Sequence, residues 1–117
     1  MNKSHLTDPR ITIVTQKVLQ AAKDTLGDKL EKVILFGSYA RGDFEANSDI
    51  DFFVLADVPN EETNTWRNGI DALIPNIDLE HDLLVCIHVT SKFMFDRYFH
   101  VLPYYQNVVK DGVELYA

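Results

Sequence analysis

The sequence predicts an α/β domain built on a small sheet, and three observations carry that prediction. Apolar residues recur at helical spacing in two stretches, short runs dense in β-branched and aromatic residues separate them, and glycine or proline stands at most borders. The resulting order is helix, strand, strand, helix, strand, helix. With 117 residues, 46% apolar and 25% charged, residues 1–117 are expected to form a single domain around one core, and no repeat or low-complexity tract divides them.

Each element has its own justification. Ile11, Val14, Val18, Ala22 and Leu26 fall at three- and four-residue intervals and mark one apolar stripe of a first helix. Asp8 suits the N-cap, Pro9 the first turn, where its missing N–H costs nothing, and Gly27 the stop. Lys32-Val33-Ile34-Leu35-Phe36 reads as a strand closed by Gly37. After the polar segment from Ser38 to Ser48, the run from Ile50 to Leu55 is a second strand, apolar enough for the middle of a sheet. Glu61 and Glu62 open a helix that places Trp66, Ile70, Leu73 and Ile74 on one face before Pro75 and Asn76 interrupt it. A third strand is expected from about Asp82 to Val89. Beyond it, Phe93, Phe95, Tyr98, Phe99, Tyr104 and Tyr105 fall in short helices broken at Pro103, where they are expected to pack as core.

Charge and cysteine content exclude several functions. Eighteen acidic residues against eleven basic ones give a net charge of -7, which repels a phosphate backbone and argues against direct nucleic-acid binding. The single cysteine, Cys86, forbids an intramolecular disulfide and is expected to be a small buried hydrophobe. The apolar runs fall far short of the roughly 20 residues needed to span a membrane. The polar stretch from Met1 to Arg10 has no signal-peptide character, so the expectation is a soluble cytoplasmic protein without a membrane partner. His5, His81, His88 and His100 share no metal-binding spacing and are expected in surface or partly buried structural roles.

One constellation carries chemistry. Gly37-Ser38 follows a strand, ten residues intervene, and Asp49-Ile50-Asp51 begins the next strand. Side chains alternate along a strand, so Asp49 and Asp51 project to the same side with Cα atoms roughly 6.6 Å apart. Two like charges at the head of an apolar strand repel each other, and a divalent cation such as Mg2+ or Mn2+ removes that penalty. Asp82, at the edge of the third apolar run, is the preferred third carboxylate if the strands pair; Asp78 and Glu80 share its alternation and compete for the role. Gly37 permits a tight turn and close backbone approach, and Ser38 begins the short segment Ser38-Tyr39-Ala40-Arg41, whose N–H groups and hydroxyl can hold nucleotide phosphates. Arg41 either contacts a phosphate or orients an acidic neighbour through an ion pair.

These residues resemble the signature of the polymerase-beta-like nucleotidyltransferases, specifically the minimal nucleotidyltransferase group. The resemblance rests on Ser38-Tyr39-Ala40-Arg41-Gly42, on Ser48-Asp49-Ile50-Asp51, on the strand starting at Asp82, and on the ending Asn107-Val108-Val109-Lys110-Asp111-Gly112-Val113-Glu114-Leu115-Tyr116. It implies a small mixed sheet with helices packed on one side, Ser38 on nucleotide phosphate, and Asp49, Asp51 and Asp82 as metal ligands. Asp82 is also the position implied to activate an acceptor hydroxyl. The implied reaction moves AMP from ATP to a hydroxyl and releases pyrophosphate; ATP as the substrate comes from the resemblance alone. Stand-alone members of the group are often antitoxins that adenylylate a tyrosine of a HEPN RNase toxin, which makes such a toxin the expected partner. Two other readings accompany it: transfer to a small molecule such as an aminoglycoside, and a non-catalytic antitoxin that neutralises its partner by binding.

Overall fold

A mixed four-stranded sheet organises the protein. The computed structural model describes residues 9–42, 49–74 and 84–117. The strands are β1 (Leu30–Phe36), β2 (Asp49–Ala56), β3 (Leu84–Ser91) and β4 (Val113–Tyr116), in the order β3-β2-β1-β4. β1 runs antiparallel to both β2 and β4, whereas β2 and β3 are parallel. A parallel neighbour needs a crossover connection, and the helix between β2 and β3 supplies part of one.

The helices are α1 (Pro9–Leu26), α2 (Ser38–Arg41), α3 (Thr63–Ala72), α4 (Lys92–Tyr98) and α5 (Pro103–Asp111). α1 and α3 share one face of the sheet. Ile11, Val14, Val18 and Leu26 from α1 and Ile70 from α3 enclose Val33 and Leu35 of β1 with Ile50, Phe52 and Val54 of β2. Every one of these side chains is at most 4% exposed, so the periodic stripe read from the sequence is the stripe that packs. The expectation of helices packed on one side of the sheet holds for α1 and α3. α4 and α5 add a smaller layer on the other, because Ile34, Phe53 and Leu55 make part of that face apolar as well. Tyr105 and Val108 of α5 complete this second cluster, and Phe95 of α4 and Phe99, just beyond its end, pack against it. Phe53 is its centre, with its ring 5.7 Å from that of Phe95 and 6.2 Å from that of Tyr105.

The second face of β2 is therefore divided. Asp49 and Asp51 occupy its first half, Phe53 and Leu55 its second, and the C-terminal helices cover the apolar half. Among the described residues, that division leaves the two carboxylates at the end of a central strand that this apolar cluster does not cover.

Several boundaries differ from expectation. β4 was invisible to pattern reading: four residues with Glu114 among them give too short an alternation, and only pairing with Val33, Ile34 and Leu35 of β1 makes it a strand. β1 starts earlier than expected, at Leu30, after a single 3-10 turn over Gly27–Lys29 that follows the end of α1. Pro103 opens α5 at its first turn, where the missing N–H leaves no bond unmade. The expected cap at Asp8, the interruption at Pro75 and Asn76, and the start of the third strand at Asp82 lie outside the described residues. Among those described, no helix is long and apolar enough to cross a membrane.

Candidate active site

The site begins where β1 ends. Gly37 has φ 79° and ψ -156°, a conformation essentially restricted to glycine. It turns the chain directly into α2, whose single turn is closed by the Arg41 N–H donating to the Gly37 carbonyl at 3.1 Å and the Gly42 N–H donating to the Ser38 carbonyl at 2.9 Å. Tyr39 and Ala40 are buried and pin this turn to the core from below, while Ser38 is half-buried and Arg41 exposed.

The turn and the second strand meet at Asp51. Phe36 and Asp51 are register partners, so the residue after Phe36 stands beside the carboxylate. A Cβ at Gly37 would lie 2.7 Å from Asp51 Oδ2, closer than side-chain carbons come to other atoms. The missing side chain is thus what lets the turn approach the acid. Asp49 is exposed two residues earlier on the same face, and Asp51 is half-buried. Sequence spacing expected Gly37, Ser38, Asp49 and Asp51 in one place, and the fold brings the Gly37–Ser38 turn and the carboxylate-bearing end of β2 together. Arg41 lies at the far end of α2. Asp82, and with it Asp78 and Glu80, lies outside the described residues. β3 does run beside β2, with Leu84 opposite Asp49.

Two side chains of β3 complete the surroundings, and the sequence reading missed both. Cys86 is half-buried, with Sγ 3.6 Å from Asp49 Oδ2, and is not the fully buried hydrophobe expected. His88 is partly buried as expected, but its Nε2 lies 3.2 Å from Asp51 Oδ1. Both follow from the parallel pairing of β3 with β2, which puts residues 84, 86 and 88 on the face of Asp49 and Asp51. Alternation along β3 was legible; the neighbour it would face was not. Tyr104 of α5 overlooks the same end of the sheet, its ring 6.0 Å from that of Phe36 and 6.3 Å from that of Phe53. Its phenol is raised above the ordinary value of 10.0, first by burial, then by the negative charge of Asp51 and by Tyr105.

The donor chemistry of this end of β2 suits a hard divalent cation, because two carboxylates stand on one face there without a lysine or arginine paired to either among the described contacts. Among the described residues no group of three or more His, Cys, Asp and Glu is arranged to hold an ion. A cavity of about 440 Å³ also opens on this face, beyond Phe53 and between β4, α4 and α5. None of the expected site residues lines it.

Comparison with known proteins identifies the family. The sequence matches the nucleotidyltransferase domain model over residues 16–114. A Methanocaldococcus jannaschii protein provisionally named a protein adenylyltransferase is 31% identical over 101 residues, which cover 86% of this chain and 93% of that protein. Among solved structures, a toxin–antitoxin complex with AMP-PNP is similar with a TM-score of 0.55 and 26% identity, over 88% of this chain and 73% of that one. The fold also resembles a chain from the complex of a tri-AMPylated Shewanella oneidensis HEPN toxin with its MNT antitoxin, with a TM-score of 0.50 and 22% identity over 91% of this chain and 71% of that one. A family match reaching from near the middle of α1 into β4 takes in every strand of the sheet, and the chain accordingly belongs to the nucleotidyltransferase domain family.

Proposed function

We propose that this nucleotidyltransferase moves AMP from ATP to a hydroxyl of a partner protein, a tyrosine of a HEPN-type RNase toxin, and so acts as an antitoxin. Transfer to a protein is supported by the relative named a protein adenylyltransferase, and ATP and a toxin partner by the similar complex containing AMP-PNP. The tyrosine and the HEPN character of the partner follow from the family resemblance of the sequence.

In this reading Asp49 and Asp51, with Asp82 as third ligand, would hold Mg2+ or Mn2+. When bound, such an ion supplies neutralisation of the phosphate charge during the displacement. The Ser38 hydroxyl and the backbone N–H groups of the Gly37 turn bind and orient the phosphates, and Arg41 either adds a phosphate contact or steadies an acidic neighbour. The acceptor oxygen attacks the α-phosphorus, the bond to the bridging oxygen breaks, and pyrophosphate leaves. The acceptor proton passes to Asp82. Positioning carries most of such a reaction, so the approach of a side-chain-free turn to the Asp51 carboxylate is the observation on which the reading chiefly rests.

The test is incubation with ATP, Mg2+ and the product of the neighbouring gene. The partner's mass is expected to increase by one or more AMP groups, and Asp49→Asn and Asp51→Asn are expected to abolish the gain while the two proteins still associate. A partner whose mass does not change refutes the transfer. Neutralisation that survives both Asn substitutions would instead assign the effect to binding alone.

A further inference from the structure

β3 reaches the two acids of β2 by a repeated diagonal. Asp49 stands opposite Leu84, yet its Oδ2 meets Cys86 Sγ; Asp51 stands opposite Cys86, yet its Oδ1 meets His88 Nε2. In each case the donor comes from two residues beyond the register partner, on the same face of the sheet. The thiol contact at 3.6 Å is the weaker of the two, because S–H is a poor donor. The imidazole contact at 3.2 Å is a hydrogen bond with a defined direction: a carboxylate only accepts, so Nε2–H donates.

The other oxygen of Asp51 has a different neighbour. Oδ2 is the atom that a Cβ at Gly37 would strike, so it faces the turn leading to Ser38. One oxygen is thus tied to β3 and the other directed toward the phosphate-binding turn. The terminal torsion of an aspartate is broad and roughly two-fold, so the side chain does not by itself choose this plane. His88 is in turn steadied by Phe36, whose ring lies 5.2 Å away and nearly edge-on, and Phe36 is the register partner of Asp51.

From this geometry we infer that His88 is a positioning residue, which holds the Asp51 carboxylate so that Oδ2 is presented at the Gly37–Ser38 turn to a divalent cation. The inference rests on the reading of Asp51 as a metal ligand and extends the functional unit to a strand position outside the Gly37–Asp51 signature. Hydrogen-bonded partners of ligating carboxylates typically contribute about 10–100-fold in metal affinity or activity.

Mn2+ binding by the isolated protein, followed by electron paramagnetic resonance with the metal alone, gives a readout independent of turnover. His88→Phe keeps an aromatic ring against Phe36 and removes the donor; it is expected to weaken Mn2+ binding by about 10–100-fold. His88→Gln, which restores an N–H, is expected to recover most of that loss. His88→Ser repeats the test with the ring removed, and thermal melts of all three confirm that the fold is retained. Wild-type Mn2+ affinity in His88→Phe, together with lost binding in Asp51→Asn, would overturn the inference while leaving the ligand reading intact. Equal losses in His88→Gln and His88→Phe would overturn it too, since a restored donor would then make no difference. Undiminished binding in Asp51→Asn, or no uptake by the wild type, would instead remove the ligand reading and the inference with it.

Discussion

Replacing Gly37 by alanine separates the two demands that the turn makes on this residue. The first is conformational: at φ 79° and ψ -156° a side chain costs about 1–3 kcal/mol. For a domain of this size each kcal/mol lowers the melting temperature by about 4 °C, so Gly37→Ala is expected to melt about 4–12 °C lower. The second demand is spatial. The new methyl group would stand 2.7 Å from Asp51 Oδ2, and the carboxylate, as the end of a rotatable side chain, gives way before the backbone does. The acid then turns from the site, and transfer activity falls further than the stability change alone explains. A double-mutant cycle with Asp51→Ala isolates this contact. That substitution removes Cγ and Oδ2 and leaves the Asp51 Cβ 3.6 Å from the new methyl, an ordinary contact. Gly37→Ala should therefore cost less in the Asp51→Ala background, by a coupling of about 0.5–3 kcal/mol in denaturant melts. Equal costs in both backgrounds would refute the close approach, and an unchanged melting temperature would refute the conformational argument.

Two further outcomes test the surroundings of the site. Because Tyr104 is raised above 10.0 by burial and by Asp51, its stabilising contribution is complete below pH 10 and is lost as the pH rises through its higher folded value. Ultraviolet titration, read as the difference from Tyr104→Phe, should show Asp51→Asn lowering this tyrosine's midpoint without bringing it fully to 10.0; an unmoved midpoint would separate Tyr104 from the site. Phe53 is wholly buried between the sheet and the C-terminal helices, so Phe53→Ala should cost about 3–5 kcal/mol in denaturant unfolding, and a loss below about 1 kcal/mol would mean that this second cluster is not a packed one.

What the sequence disclosed depended on the range of the signal. The stripe from Ile11 to Leu26 is local and periodic, and it is the packed face of α1. The use of Gly37 was equally legible, since a glycine between a strand and a serine-led turn implies a backbone approach that a side chain would block. Alternation likewise put Asp49 and Asp51 on one face. Register is different, because it belongs to two segments at once. Nothing within residues 84–91 says that β3 runs parallel to β2 with Cys86 opposite Asp51, so neither Cys86 nor His88 could be assigned to an acid before the strands were paired. The same limit hid β4, which is a strand only by virtue of β1. Phe95, Tyr98, Phe99 and Tyr105 pack as expected, although their use as cover for the apolar half of a face whose other half is acidic was not legible; Phe93 and Tyr104, expected as core, are 66% and 44% exposed.

β2 is bonded to a neighbour along both flanks, and only its first and third residues, Asp49 and Asp51, escape full burial. Amide protons in such a strand exchange with solvent chiefly when the domain opens as a whole, not through local fraying. The spacing of the two acids is therefore as durable as the native state itself. On the proposed function, acceptor preference can then change in the periphery while the two acids keep their spacing.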